Sequence, residues 1–260
     1  MRNFGCRAAI VLTLVVGTGV TFAEGQTASA PDREDSNDRL LGYVSINGGA
    51  QFSQGDLESQ VTFPLYVEEG DFDASYTTPT GPLLDIGGTV RLWRQLGAGV
   101  AVTWYREKGT ADLDARLPHP LHFGRTRNLV ATIPDLDRVE TTVHVQATWL
   151  APASDRVLLA LFGGPTVFRV EQDVITGIVP RETFPYDEVQ LESATLAERK
   201  ESAVGFHVGT DIQYRLTRHL GVGGVARFSR GTLTVATDAD ENLELEAGGL
   251  QLSGGVRWLF

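Results

Sequence analysis

The 260-residue sequence holds a single cysteine, and beyond Ala23 no apolar stretch is long enough for a membrane-crossing helix. Cys6 lies inside an N-terminal segment expected to be removed, so the remaining chain has no thiol. That excludes disulfides, thiolate metal sites and a cysteine nucleophile. A cationic excess is missing too. Removing Arg2 and Arg7 leaves 20 basic against 33 acidic side chains, a formal −13, which disfavours binding to phosphate backbones and so to nucleic acid. Histidine is scarce: His119, His122, His144, His207 and His219, none in a compact His-x-Ser arrangement. Without a spanning helix, membrane residence requires a closed β-barrel, because only helices and barrels satisfy every backbone polar group in lipid.

What is present begins with an export signal. Arg2 and Arg7 precede an apolar run from Ala8 to Val20, and Thr21 and Ala23 flank Phe22 just before Glu24. Residues 1–23 therefore read as a secretory signal peptide, cleaved after Ala23. The run is about 13 residues, short of the roughly 20 that a retained anchor, the alternative, needs. Cys6 is far from the cleavage point, which argues against a lipoprotein. Residues 24–39 are polar and read as a flexible N-terminal tail.

From residue 40 to residue 260 a period of two recurs. Eight segments carry it: Leu41 to Phe52, Pro82 to Arg94, Gly97 to Glu107, Val139 to Leu150, Arg156 to Glu171, Ala203 to Arg215, His219 to about Val235, and Ala247 to Phe260. In the first, Val44, Ile46, Ala50 and Phe52 oppose Ser45, Asn47 and Gln51; in the last, Leu250, Leu252, Val256, Trp258 and Phe260 oppose Gln251, Ser253 and Arg257. The apolar faces are almost free of charge, which suits lipid, and the polar faces suit a narrow lumen. A soluble barrel would bury its apolar face instead. The connections alternate long, short, long, short, long, short, long, with tight turns near Gln95, Ala151 to Asp155, and Arg215 to His219. Four loops on one side and three turns on the other is the membrane-barrel pattern.

The expected fold is all-β, an eight-stranded antiparallel up-and-down transmembrane β-barrel, with ten strands as the alternative. Gln60 to Val67 and Phe72 to Thr78 have strand-like composition. Pro64 and the charges of Glu68-Glu69-Gly70-Asp71-Phe72-Asp73 favour a hairpin above the membrane over two further crossings. The other three long connections, Lys108 to Arg138, Gln172 to Ser202 and Ala236 to Glu246, read as loops.

With its signal peptide, eight alternating strands and a last strand closing on Gly255-Val256-Arg257-Trp258-Leu259-Phe260, the chain resembles the small outer-membrane β-barrel domain family, which includes the outer-membrane protein A and protein X type barrels. Leu252, Val256, Trp258 and Phe260 match the family's alternating apolar terminus. The resemblance implies an outer-membrane location, lipid and lipopolysaccharide around the barrel, and a monomer. It also implies an insertion signal at Val256, Trp258 and Phe260, read by the barrel-assembly machinery. The resemblance is architectural and says little about molecular activity.

The candidate site is the lumen. Asp85, Arg91, Glu140, His144, Arg169, Glu171, Asp211, Arg227 and Arg257 are expected to project inward. Charges in a narrow interior must pair, because desolvation without a partner costs several kcal/mol per ion. A salt-bridged plug is the expectation, and a gated small pore is the alternative. His144 and His207 are expected to face the lumen beside Glu140 or Asp211. No cofactor, metal site or catalytic constellation is expected. Some barrels that the sequence resembles modify lipid A with His, Ser and a carboxylate, and no such cluster is legible here, so an enzyme is not the expectation. His119 and His122 read as residues of an exposed loop. The loop acids, among them Glu68, Glu69, Asp71, Asp187, Glu188, Asp238, Asp240 and Glu241, read as a solvated surface. Trp104-Tyr105, Trp149 and Trp258 are expected in interfacial girdles.

Overall fold

The computed structural model describes residues 41–53, 57–236 and 242–260. The expected signal peptide and tail, and Asp238, Asp240 and Glu241, lie outside the described residues. The strands are β1 (Gly42–Ser53), β2 (Leu57–Leu65), β3 (Glu68–Thr77), β4 (Gly81–Trp93), β5 (Leu96–Pro118), β6 (Thr126–Pro152), β7 (Val157–Glu182), β8 (Val189–Arg215), β9 (Leu220–Ala236) and β10 (Asn242–Leu259). Eight of them form an antiparallel ring in the order β5-β4-β1-β10-β9-β8-β7-β6, closed by β6 pairing with β5. Closure removes the sheet edges that would otherwise be unpaired. β2 and β3 form a hairpin that joins the far half of β5, from Asp71↔Arg116 to Thr77↔Thr110. The hairpin stands outside the ring, so the barrel has eight strands.

The first and last strands seal the ring: Tyr43 lies opposite Leu259, and Ser53 opposite Gly249. Outward positions there are apolar and exposed, including Val44, Ile46, Val100, Val145, Val208, Ile212 and Val256. Along the last strand the outward face is free of charge from Leu250 to Phe260. At about 3.4 Å per residue and a tilt of about 40°, it rises roughly 26 Å. That matches an apolar band of about 25 Å. Trp93, Trp149 and Trp258 are exposed at the turn end of this belt, and Trp104 faces outward nearer the other end. Tyr105 does not join a girdle. It points inward, 1% exposed, and its hydroxyl donates to the Pro79 carbonyl at 2.8 Å.

The long connections are mostly strand. Beyond the apolar belt, β5 continues to Pro118, β6 begins at Thr126, β7 runs to Glu182 and β8 begins at Val189. Polarity is inverted here. On β5, Ala111, Leu113, Ala115 and Leu117 are buried inside while Asp112, Asp114 and Arg116 face out. The reason is the solvent. Once the outside is water, the apolar face turns inward, and alternating charges that would be costly in lipid become the exposed face.

The ring also opens here. β6 pairs with β7 no further than Arg138↔Gln172, and β8 pairs with β9 no further than Gly205↔Gly231. A sheet of β2, β3, β5 and β6 therefore faces a ribbon of β7 and β8. Between them lies one apolar core that includes Phe72, Tyr76, Leu113, Leu129 and Ile175, with Val189, Leu191 and Ala194 packed against it. The Ile175 amide donates to the Tyr76 hydroxyl at 2.8 Å across the layers. A bulge marks the change of regime on β6. Asp135 takes φ 63°, the β5 register shifts between Gly109 and Ala111, and the inward set switches from Leu129, Ala131 and Ile133 to Leu136, Arg138 and Glu140.

Candidate functional site

Inside the belt small inward residues, many of them glycine, stand among larger polar ones. Gly223 is an example: a Cβ there would lie 2.9 Å from the Arg257 guanidinium. Only glycine leaves room for a fully buried arginine at that height. Gly209 plays the same part under Phe162, whose ring a Cβ would meet at 2.6 Å.

Arg257, 0% exposed, pairs with Asp211 at 2.8 Å and also donates to Asn47 Oδ1. Gln213 Nε2 donates to the other Asp211 oxygen at 2.8 Å. Asn47 Nδ2 in turn donates to Asp85 Oδ1 at 2.8 Å, so one amide bridges two ion pairs. Asp85 Oδ2 accepts from Arg227 Nη1 at 2.8 Å and from Thr103 at 3.1 Å. Arg227 also reaches Gln251 Oε1 at 3.3 Å, and its guanidinium lies 5.5 Å from the Phe162 ring centre. From Gln251 the chain continues to Gln51 at 2.8 Å and from Gln51 to Glu140 at 2.9 Å. Glu140 accepts from Arg138 at 2.6 Å, and Arg138 donates to Gln172 at 3.0 Å and to the Glu246 carbonyl at 3.1 Å. A continuous file of hydrogen bonds thus runs along the lumen from Gln213 to Gln172.

Apolar layers close both ends of this file. At the turn end, Tyr43, Leu150, Leu158, Ala160 and Leu259 form a buried cluster. At the other end stands the core around Phe72, Leu113 and Phe168. Arg91 is on the inward face at the turn-end mouth, half-buried. Arg169 and Glu171 are not in the lumen. They lie on the outer face beyond the belt, paired at 3.6 Å, with Lys200 3.3 Å from Glu171.

His144 and His207 face the lumen, but neither pairs with Glu140 or Asp211. Each presents Nδ1 to the Thr166 hydroxyl, at 2.9 and 2.8 Å, with the rings edge to face at 4.7 Å. One hydroxyl can donate to one ring nitrogen and accept from the other, so opposite tautomers of the two rings satisfy both contacts. His119, expected in an exposed loop, is buried, 2% exposed. Among the described residues no group of three or more His, Cys, Asp or Glu is arranged to hold a metal ion.

The uncharged members of the file were the harder ones to read. Asn47, Gln51 and Gln251 occupy the polar face that the sequence pattern gives, yet nothing local marks them as bridges. Arg138 sat at the end of an expected loop.

No family model and no curated protein matches the chain. Similar solved structures include Neisserial surface protein A, with 15% identity over 84% of this chain and 97% of that one at a TM-score of 0.39. The outer membrane protein OprG from Pseudomonas aeruginosa has 10% identity, 85% and 97% coverage, and a TM-score of 0.45. The outer membrane protease OmpT from Escherichia coli has 11% identity, 85% and 97% coverage, and a TM-score of 0.45. These are distant likenesses, and the assignment of fold rests on the closed ring and on the polarity of its two faces. By that architecture the chain is an eight-stranded antiparallel transmembrane β-barrel.

Proposed function

We propose that this chain is an integral outer-membrane protein that works as a surface-interaction scaffold, with a lumen plugged by its own side chains. The observation that carries the reading is the continuous polar file from Gln213 to Gln172, closed above and below by apolar layers. A conducting pore needs an open, hydrated path, and paired buried charges between packed ends oppose one. Residues 1–23 then serve as the export signal. Val256, Trp258 and Phe260, exposed on the outward face of the last strand, serve as the signal for the barrel-assembly machinery. The turns lie on the periplasmic side, and the two-layered extension stands above the lipopolysaccharide leaflet, with the protein acting as a monomer.

Purified protein in planar bilayers tests this. The expected result is no conductance above background for the wild type. Reproducible single-channel steps that change on Arg257→Gln would replace the plug with a pore. Fractionation tests the location: the folded, heat-modifiable form belongs in the outer-membrane fraction, and recovery from the periplasm without detergent would refute the assignment.

A further inference from the structure

Three turns meet at the far end of the extension: Tyr66-Val67 between β2 and β3, residues 119–125 between β5 and β6, and residues 183–188 between β7 and β8. Side chains tie them together. The Tyr66 hydroxyl donates to Glu182 at 2.5 Å, the Gly124 amide donates to Glu68 at 2.8 Å, and Arg125 pairs with Asp187 at 2.8 Å. Beneath them the buried Arg127 pairs with Glu182 and donates to the carbonyls of Tyr186 at 3.1 Å and Pro118 at 2.7 Å. The apex is therefore one cross-linked platform.

This platform carries apolar side chains that the fold does not use. Val67 is 101% exposed, Phe123 88% and Phe184 76%, with Leu121 and Tyr66 also exposed. In the core just below, Leu113 and Leu129 are 1% and 2% exposed. The backbone bends to place two of these residues. Tyr66 and Val67 adopt φ 51° and 70° in a two-residue hairpin turn, where Asn-Gly would sit without strain. A β-branched residue with positive φ is an outlier, and Val67 returns no buried area for it. Exposed aromatic groups on a rigid, pre-ordered surface are the anchors of protein interfaces.

The charges around the apolar centre limit the partner. Glu68, Glu69, Asp71, Asp187 and Glu188 surround it, against Arg116 and Arg125, which are already paired with Asp71 and Asp187. An anionic lipid surface or a second apex of the same charge meets repulsion there. Resting on the scaffold reading above, we propose that the apex docks a protein surface with an apolar centre and a basic rim.

The full chain in lipid nanodiscs can be tested against an immobilised synthetic Leu/Lys amphipathic helix, with its Leu/Glu counterpart as control. The Leu/Lys helix should bind, and raising salt from about 50 mM to about 500 mM should weaken it. The F123S/F184S variant keeps every charge and should bind about tenfold or more weakly. Its folding is confirmed by heat-modifiable mobility. Equal binding by wild type and variant, or equal binding of the Leu/Glu helix, overturns the inference. So does tighter association with phosphatidylglycerol vesicles, or self-association of the chain. Bilayer conductance of the same preparation separates the two readings: a closed barrel without helix binding sinks only the docking site, whereas an open barrel sinks the scaffold.

Discussion

Asp85→Asn removes one charge from the middle of the lumen while keeping the side chain's shape. Arg227 would remain buried, with 4% of its side chain exposed, and its shortest contact, 2.8 Å to Asp85 Oδ2, would lose its counter-ion. The amide cannot replace the carboxylate at both oxygens. Asp85 accepts from Asn47 on one and from Arg227 and Thr103 on the other, so an Asn amino group must face a donor whichever way it turns. Removing one partner of a buried pair costs about 3–5 kcal/mol. Arg227→Met should cost a similar amount, because it strands the carboxylate with only Asn47 and Thr103. Replacing both, as D85N/R227M, removes both buried charges, and the double variant should be at least about 2 kcal/mol more stable than the sum of the two losses implies. Urea unfolding in phospholipid vesicles, read by heat-modifiable mobility, gives all four corners of the cycle. Two single losses below about 1 kcal/mol each that simply add would mean that solvent screens the pair. The lumen would then be wet and the plug reading refuted.

Three further outcomes follow from the same structure. Val145→Arg, at the centre of the lipid-facing belt, should cost roughly 2–4 kcal/mol of barrel stability, whereas Val130→Arg, 78% exposed beyond the belt, should change it by less than about 0.5 kcal/mol. Equal effects would place the membrane boundary elsewhere on β6. Leu113→Ala should cost about 2–5 kcal/mol and open the outer extension to protease while the ring keeps its heat-modifiable mobility; uniform protection would contradict a separate outer core. Burial, reinforced by His122, Arg125 and Arg127 and opposed by Asp187, holds the His119 pKa below the ordinary histidine value. The opened apex therefore binds more protons than the closed one below about pH 6.5, and the closed form weakens as pH falls. Hydrogen exchange in residues 119–125 should be faster at about pH 5.5 than at pH 7.5 once corrected for intrinsic rates, and His119→Gln should abolish the difference.

Where strands cross lipid, the sequence was legible because each residue's neighbours are fixed by local geometry. Val44 to Phe52 and Leu250 to Phe260 alternate, and a period of two can only be a strand with two unlike faces. The same alternation continues through Thr110 to Pro118, yet there it reads as a loop, since charged Asp112, Asp114 and Arg116 occupy the positions expected to meet lipid. Arg169 and Glu171 were misplaced for the same reason. They share the outward parity of Leu161 and Val167, and only the height of the membrane boundary separates a lipid-facing position from a water-facing one. His119 was read as exposed because composition does not show how a loop folds back: the Leu121 amide donates to its Nδ1 at 3.1 Å, the His122 ring lies 4.8 Å away, and Asp187, on a different loop, is 3.9 Å from its Nε2.

The sequence by itself determined the period-two strands, the three tight turns, the separation of long from short connections and hence the eight-stranded ring. Each of these follows from backbone geometry and from residues adjacent in the chain. Tertiary structure alone decided which charges meet. Arg138 and Glu140 stand two residues apart, but Asp85 and Arg227 are separated by 142 positions and Asn47 and Arg257 by 210. Their encounter depends on the register of every intervening strand and on closure of the ring, which sums those registers into one geometry. The inversion of polarity beyond the belt was decided there as well, because the identity of the surrounding solvent, lipid or water, is a property of height above the membrane.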